Sequence, residues 1–162
     1  MKTLDFLHLD KKNTQPVVEG LQQLLADYQV FYTNLRDYHW NVTGHGFFTL
    51  HEQFEKMYVD VATKIDEIAE RILMRGGTPE SRYSQYLQRT RLGEVSDVRC
   101  GTDAVDGLLD MLGAIIAEQR RLIKTAEAAD DAVTVDMLTG YLASQEKLVW
   151  IFVAFSTMAC CK

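Results

Sequence analysis

Apolar residues recur at three- and four-residue spacing along most of the chain, which is the pattern of amphipathic helices. Four long helices and one short helix account for this spacing, and the first of them would extend roughly 40 Å. The predicted segments are, in chain order, a helix from Asn13 or Thr14 to about Val42, a helix from Thr49 to about Arg75, a short helix from Tyr83 to Leu92, a helix from Thr102 to Ala129 and a helix that begins at Asp130–Asp131.

Local signals mark where these helices begin and end. Pro16 falls in the first turn of the first helix, where a missing N–H is harmless. Thr49 and Glu52 have the spacing of a capping box, which predicts Thr49 as the N-cap of the second helix. Gly76 and Pro79 end that helix. Because the connection between the first two helices is short, they should form an antiparallel hairpin.

Two such hairpins joined by a longer crossover predict an all-α fold, a ferritin-like four-helix bundle with a short extra helix in the crossover between helices two and three. The length of 162 residues is that of one ordinary domain. We therefore expect a single domain over residues 1–162, with a short flexible N-terminal segment at about residues 1–13.

The charge and the cysteine content indicate which kinds of binding partner and which cellular compartment to expect. The formal net charge of −6 opposes nucleic-acid binding by the folded body and favours cations as partners. Cys100, Cys160 and Cys161 form neither a disulfide framework nor a metal-binding pattern, and we interpret them as structural or incidental. No export signal is visible, and the longest apolar run is too short to span a membrane. A soluble, cytoplasmic protein is expected.

Two carboxylates of the second helix lie outside its predicted solvated face. On a helical wheel, Asp66 and Glu70 share a flank with the apolar residues Val59 and Leu73. A partly apolar flank is typically buried against another surface, where two carboxylates one turn apart would be costly unless they are paired or metal-bound. A salt bridge to an arginine such as Arg36 is the alternative to a metal. The solvated face itself is predicted from Gln53, Lys56, Asp60, Lys64, Glu67 and Arg71.

Two histidines also occupy unusual positions. His39 lies in the apolar stripe of the first helix, and His51 lies in the first turn of the second helix, at the edge of its apolar stripe. The hairpin turn between them can make the two imidazoles neighbours. A lone histidine on an apolar face is typically a satisfied core residue, whereas a pair brought together by a hairpin favours a metal site.

The distance along the second helix excludes one metal site within one chain. His51 and Asp66 are separated by about 22 Å on a straight helix. Either the two pairs of residues are unrelated, or a second subunit completes the site. A two-fold dimer that pairs the second helices antiparallel would bring the histidines of one chain to the carboxylates of the other, twice by symmetry.

The types of donor atom limit the candidate metal ions but do not identify a single one. Imidazole with carboxylate suits Fe(II), Mn(II) or Zn(II), and open coordination positions would allow redox chemistry at iron. The Glu-x-x-His spacing of ferritin-like sites built inside one chain is absent. Because this spacing is absent, the chain is not expected to be an ordinary ferritin, a bacterioferritin, a rubrerythrin or a manganese catalase.

Specific motifs surround these residues. The chain reads His39-Trp40, then GHGFFTLHE from residue 44, then DEIAER from residue 66, followed by Gly76-Gly77. These motifs resemble the Dps family of mini-ferritins, over nearly the whole chain. The resemblance implies a dodecameric shell that oxidises Fe(II) to Fe(III), preferentially with hydrogen peroxide, and stores ferric oxide inside. It makes His39 and His51 iron ligands from one subunit and Asp66 and Glu70 ligands from another. The resemblance places Trp40 near the site, where it would intercept oxidising equivalents. The alternative is that Trp40 is an aromatic side chain with only a packing role.

The resemblance also implies roles for other acidic residues. It places Asp136 at an acidic three-fold pore through which iron enters, with Asp131 and Glu127 beside it. For Asp131, a helix N-cap is a second interpretation. Glu52 and Glu55 would face the cavity as carboxylates that nucleate mineral, and the capping box is the alternative for Glu52.

DNA binding is not expected, although the family is named for it. Family members that bind DNA usually do so with mobile tails rich in lysine or arginine. Here Lys2, Lys11 and Lys12 stand against two aspartates near the N-terminus, and the C-terminus adds only Lys162. The leading hypothesis is a ferroxidase and iron store that protects against oxidative stress. The alternatives are a nucleoid-associated protein that binds and protects DNA, and a helical oligomer with no metal role.

Overall fold

The computed structural model describes residues 3–158, and all regular elements in this range are helices, as the sequence predicts. None of these helices is both long and apolar enough to cross a membrane. The helices are α1 (Thr3–Leu7), α2 (Lys11–Asn41), α3 (Phe47–Met74), α4 (Tyr83–Arg89), α5 (Gly101–Ala128) and α6 (Ala132–Met158).

Helices α2 and α3 form one antiparallel hairpin, and α5 and α6 form a second. The backbone N–H of Thr43 donates to the carbonyl oxygen of Arg99 at 3.0 Å, so α5 begins at the end of the bundle where α2 ends. The crossover of residues 75–100 therefore runs the length of the bundle and contains α4. The predicted fold, a four-helix bundle with a short helix in its crossover, is confirmed.

A continuous apolar core fixes how the helices face one another. Phe54 of α3 stacks on Phe152 of α6 with ring centroids 6.4 Å apart. Burying one large apolar side chain contributes roughly 1.5–3 kcal/mol, so this packing sets which helix faces remain outside. The largest fully buried apolar and aromatic side chains are Tyr28, Tyr38, Phe31, Phe54, Leu21, Leu24, Leu25, Leu35, Leu50, Ile68 and Ile72.

The start of α3 differs from the prediction. Helix α3 begins at Phe47, and Gly46 is its N-cap with φ 85°, a left-handed conformation that favours glycine. The predicted capping box of Thr49 and Glu52 is wrong, because both residues lie inside the helix. The Glu52 carboxylate instead accepts a hydrogen bond from Lys56 Nζ at 2.6 Å, which lowers the pKa of Glu52.

The first predicted helix begins earlier than the sequence indicates, and a short helix that was not predicted precedes it. Helix α2 begins at Lys11, so Pro16 lies in its second turn rather than its first. Helix α1 precedes it, and Leu4 of α1 is buried against Gly76 at the end of α3. The flexibility of about residues 1–13 and the single-domain organisation remain predictions.

Polar side chains along one face of α2 hold the crossover in place. The Asn34 amide donates to the carbonyl of Gly93 at 2.8 Å and accepts from the backbone N–H of Val95 at 3.1 Å. The Asp27 carboxylate accepts from the backbone N–H of Arg91 at 2.7 Å. Burial raises the pKa of Asp27, although this hydrogen bond opposes the rise. The irregular segment thus finds partners for its backbone groups on a helix surface.

One side of α3 that the sequence predicts to be solvated packs against α6. Arg71 is buried and pairs with Asp131 at 2.5 Å, and the buried Lys64 ammonium lies 5.3 Å from the Tyr141 ring centroid. The Tyr141 hydroxyl donates to Glu67 Oε2 at 2.5 Å. The predicted solvated face is therefore wrong for Lys64 and Arg71. A wheel drawn for one helix does not contain the polar partners that another helix supplies.

Three tyrosines should ionise late in an alkaline titration. Burial raises the pKa of Tyr28 and of Tyr141, and it raises the pKa of Tyr38 to about 12. In the unfolded chain, tyrosines ionise near pH ~10. The stability linked to these groups is therefore complete below about pH 10 and is lost as the pH rises through their folded-state pKa values. Tyrosinate absorbance followed against pH should show a late stage that coincides with alkaline unfolding. Tyr141→Phe should reduce only that stage, and a loss confined to the early stage would contradict the assignment.

Candidate metal centre

His39 and His51 are neighbours across the α2–α3 turn, as the hairpin predicts. Their rings are stacked, with centroids 3.8 Å apart and an interplanar angle of 22°. Each Nδ1 lies 2.8 Å from the backbone carbonyl oxygen of the other residue. These reciprocal hydrogen bonds tie the last turn of α2 to the first turns of α3.

The reciprocal bonds also determine which ring nitrogen can bind a metal ion. A carbonyl oxygen only accepts hydrogen bonds, so each Nδ1 carries the shared proton. In a neutral imidazole this leaves Nε2 with its lone pair, which is the form that coordinates a metal. Within residues 3–158, neither Nε2 has a hydrogen-bond partner. The pair therefore presents two free nitrogen donors, which we call the histidine half-site.

Aromatic side chains hold the two rings in place. Phe47 lies with its ring centroid 5.1 Å from that of His51. Tyr58 contacts His39 edge to face, with centroids 5.4 Å apart. His39 is buried and His51 is half-buried. These ring contacts restrict the orientation of both imidazoles.

Asp66 and Glu70, which we call the carboxylate half-site, lie on an exposed flank of α3. The neighbouring apolar residues Val59 and Leu73 are 55% and 52% exposed. Neither carboxylate has an ion-pair partner in the described part of the chain. Within the described part of a single chain neither carboxylate pairs with Arg36, whose guanidinium lies over aromatic rings.

The two half-sites do not meet within one chain. His51 and Asp66 occupy the same uninterrupted helix, about 22 Å apart along its axis. Among residues 3–158, no group of three or more histidine, cysteine, aspartate or glutamate side chains is close enough to hold a metal ion. A complete site needs a second copy of the chain, and its four ligands remain a prediction.

The other residues assigned to the site or the cavity are exposed. The Trp40 ring has the Arg36 guanidinium 4.4 Å from its centroid. Glu52 is paired with Lys56, and Glu55 points to solvent. Roles for Trp40 beside iron and for the two glutamates at a mineral surface remain predictions.

An acidic groove of about 530 Å³ lies where α5 meets α6. The predicted pore residues Glu127, Asp131 and Asp136 all line it. Asp130 lines it too, which the sequence reasoning missed; its place beside Asp131 in the turn between two helices was the available signal. A concave acidic surface attracts cations. The location of the groove at a three-fold pore remains a prediction.

Asp131 differs from the other acidic residues of the groove because its carboxylate is only 2% exposed. It accepts from the Thr134 backbone N–H at 3.2 Å, which is the bond of an N-cap, and from the Thr134 hydroxyl at 2.6 Å. It also pairs with Arg71 at 2.5 Å and Arg75 at 3.3 Å. The N-cap interpretation is observed, and a metal-binding role for Asp131 would require release of both arginines.

Two further features lie apart from these residues. A cleft of about 1060 Å³ between α2, the crossover and α5 contains none of the predicted ligands. Its arginines are each paired with a glutamate. Cys100 is an exposed free thiol at the start of α5. Cys160 and Cys161 lie outside the described residues, so the interpretation of the cysteines as structural or incidental stays a prediction.

The chain is similar to known proteins over most of its length. The ferritin-like domain family model matches residues 18–157. The chain is 48% identical to the DNA protection during starvation protein of Porphyromonas gingivalis, over 96% of this chain and 98% of that protein. It is 37% identical to DNA protection during starvation protein 2 of Bacillus anthracis, over 86% and 95%. The crystal structure of the Dps protein from Vibrio cholerae O1 superposes with a TM-score of 0.88, at 40% identity over 91% of this chain and 92% of that chain.

The helical bundle and the family model define a ferritin-like protein. Within that class, the similarity over nearly the full length of both chains is to Dps proteins. The chain belongs to the Dps family, as its motifs predicted.

Asp131→Ala should strongly destabilise the protein. It would leave two buried guanidinium groups without their carboxylate, which typically costs about 3–5 kcal/mol of folding free energy. Glu146→Ala is a matched control, because Glu146 forms an exposed pair with Arg120, and such pairs contribute about 0–1 kcal/mol. Denaturant unfolding of both variants measures the difference. Equal losses would show that the buried pairs of Asp131 contribute no more than a surface pair.

Proposed function

We propose that this chain oxidises and stores iron at sites shared between two subunits. The observation that carries the proposal is the histidine half-site, with both Nε2 atoms free, about 22 Å along α3 from the carboxylate half-site. Antiparallel pairing of two α3 helices supplies each half-site with its missing half. Family membership favours iron, since the Vibrio cholerae Dps protein is described as a member of a superfamily of ferritin-like diiron-carboxylate proteins.

Exposed apolar side chains support the same pairing. Val59 and Leu73 flank the carboxylate half-site, while Trp40 and Phe48, close in sequence to the histidines, are 62% and 85% exposed. Exposed apolar side chains that gather into one patch are typical of an interaction surface. A second copy of the chain would remove them from water and enclose the metal.

Each group has its own task in the proposed oxidation. Nε2 of His39 and Nε2 of His51 bind the Fe(II) substrate as neutral donors. Asp66 and Glu70 of the partner subunit add negative charge, which favours the Fe(III) product. Hydrogen peroxide is the preferred oxidant: it takes one electron from each of two Fe(II) ions, its O–O bond breaks, and protonation releases its oxygens as water. Zn(II) or Mn(II) fits the same donors.

The acidic groove would supply the iron, and the interior of a dodecameric shell would store it. Glu127, Asp130 and Asp136 present exposed carboxylates that concentrate Fe(II) around a three-fold axis. Glu52 and Glu55 would nucleate ferric oxide on the inner surface. Consuming Fe(II) together with peroxide removes the reagents of hydroxyl-radical chemistry, which protects the cytoplasm from oxidative stress.

Two single variants, alone and mixed, test the shared site. His51→Ala and Asp66→Ala damage different half-sites, so each alone should slow the peroxide-driven rise in ferric absorbance at least about tenfold. When the two variants are unfolded together and reassembled, about half of the two-fold pairs are mixed, and each mixed pair regains one intact site of two. The mixture should recover about one quarter of the wild-type rate, because a quarter of all sites are intact.

His45→Ala is the matched control, since it removes an exposed histidine from the same turn and should keep the wild-type rate. A mixture no more active than its separate components would contradict a site shared between subunits. Equal rates in the wild type and both single variants would reject the assigned ligands. Failure of the wild type to retain stoichiometric iron after desalting would favour a helical oligomer with no metal role.

DNA binding and protection is the alternative function, and the Porphyromonas gingivalis and Bacillus anthracis relatives are named for it. The net charge of −6 opposes approach to a phosphate backbone. We therefore expect no retardation of duplex DNA in a gel-shift series across salt concentrations. Tight retardation at physiological salt would overturn the charge argument and favour a nucleoid role.

A further inference from the structure

Arg36 lies on α2 one helical turn before His39, about 4.5 Å along the axis. Its guanidinium carbon is 4.4 Å from the ring centroid of Trp40 and 5.4 Å from that of Tyr32. Tyr32 contacts Tyr58 edge to face, and Tyr58 contacts His39 in the same way. The guanidinium therefore lies over Trp40 and Tyr32, and Tyr32 connects through Tyr58 to His39 of the histidine half-site.

The charge of Arg36 is not neutralised within the described part of the chain. Arginines on other elements, such as Arg71 and Arg91, pair with buried carboxylates. Arg36 makes only cation–π contacts, although it is half-buried. Stacking uses the flat faces of a guanidinium and leaves its N–H groups, which lie in the plane, free to donate.

A metal-free site between two subunits needs a cation. Asp66 and Glu70 would then be two carboxylates one turn apart at a partly apolar contact surface, where unpaired charge is costly. The Nδ1–H groups of the two histidines are taken by backbone carbonyls and cannot donate to these carboxylates.

We propose that Arg36 is the counter-ion of the metal-free site. Its guanidinium pairs with Asp66 and Glu70 of the partner subunit, and an incoming metal ion displaces it. In the single chain the guanidinium lies over Trp40 and Tyr32, and we expect it to return to this position when a metal ion displaces it. Arg36 therefore lowers the metal affinity of the site and keeps its carboxylates compensated when it is empty. The inference rests on the shared site proposed above.

Zn(II) binding to assembled wild type, Arg36→Met and Arg120→Met tests this role. Zn(II) accepts the same donors without redox change. Arg120→Met is the matched control, since it removes one arginine from an exposed pair with Glu146. Calorimetry isolates the relevant site as the heat that His51→Ala abolishes. At that site Arg36→Met should bind Zn(II) about tenfold more tightly than the wild type or the control, because no guanidinium competes.

Trp40 supplies a readout that does not depend on affinity. The chain contains 2 tryptophans, so a Trp150→Phe background leaves Trp40 alone. Zn(II) should move the guanidinium from the carboxylates onto the Trp40 face and change its emission, and Arg36→Met should remove this change. Arg36→Lys keeps the charge and should bind Zn(II) with nearly wild-type affinity.

The outcomes separate the two proposals. If Arg36→Met binds Zn(II) no more tightly than Arg120→Met, at equal assembly size by chromatography, Arg36 is not the counter-ion and the shared site stands. If the wild type shows no His51-dependent binding at all, the shared site is wrong, and this inference is overturned with it.

Discussion

The hydrogen bonds exchanged by His39 and His51 join the structure of the α2–α3 turn to the chemistry of the site. The carbonyl of His39 lies in the last turn of α2, where a helix supplies few N–H partners of its own. The His51 ring provides one, and the His39 ring returns the same bond. Each ring thus uses one nitrogen to hold the hairpin and leaves the other without a hydrogen-bond partner in the described part of the chain. The orientation of the rings therefore cannot change without loosening the turn.

Much of this arrangement could be predicted because the signals are local. Apolar spacing gave the four long helices, and the count of residues between His51 and Asp66 showed that one chain cannot complete the site. Features that depend on a second element were not predictable. The helical wheel of α3 predicts that Lys64 and Arg71 face solvent. In the structure, Tyr141 lies against Lys64 and Asp131 pairs with Arg71. The Thr49 spacing fits a capping box but also fits a helix interior, and Gly46 decides between them through its backbone conformation.

Burial separates two kinds of acidic residue that the sequence places side by side. Asp131 is withdrawn from solvent and neutralised by Arg71 and Arg75. Asp130 and Asp136 line the same groove with exposed carboxylates. The first kind holds the start of α6 in position, and the second leaves negative charge facing outward. The position of the acidic groove therefore depends on the Asp131 carboxylate, which is itself paired with arginines and not available to metal ions.

The attachment of the crossover to α2 has a consequence for how the chain could be rearranged. The side chains of Asp27 and Asn34 form hydrogen bonds with the backbone of the crossover on either side of Leu92. The two helical hairpins are thus connected in two ways, by the covalent backbone of the crossover and by these hydrogen bonds to α2. New chain termini introduced near Leu92 would leave both cut ends anchored. The molecule is therefore suited to division near Leu92 into two fragments that recombine.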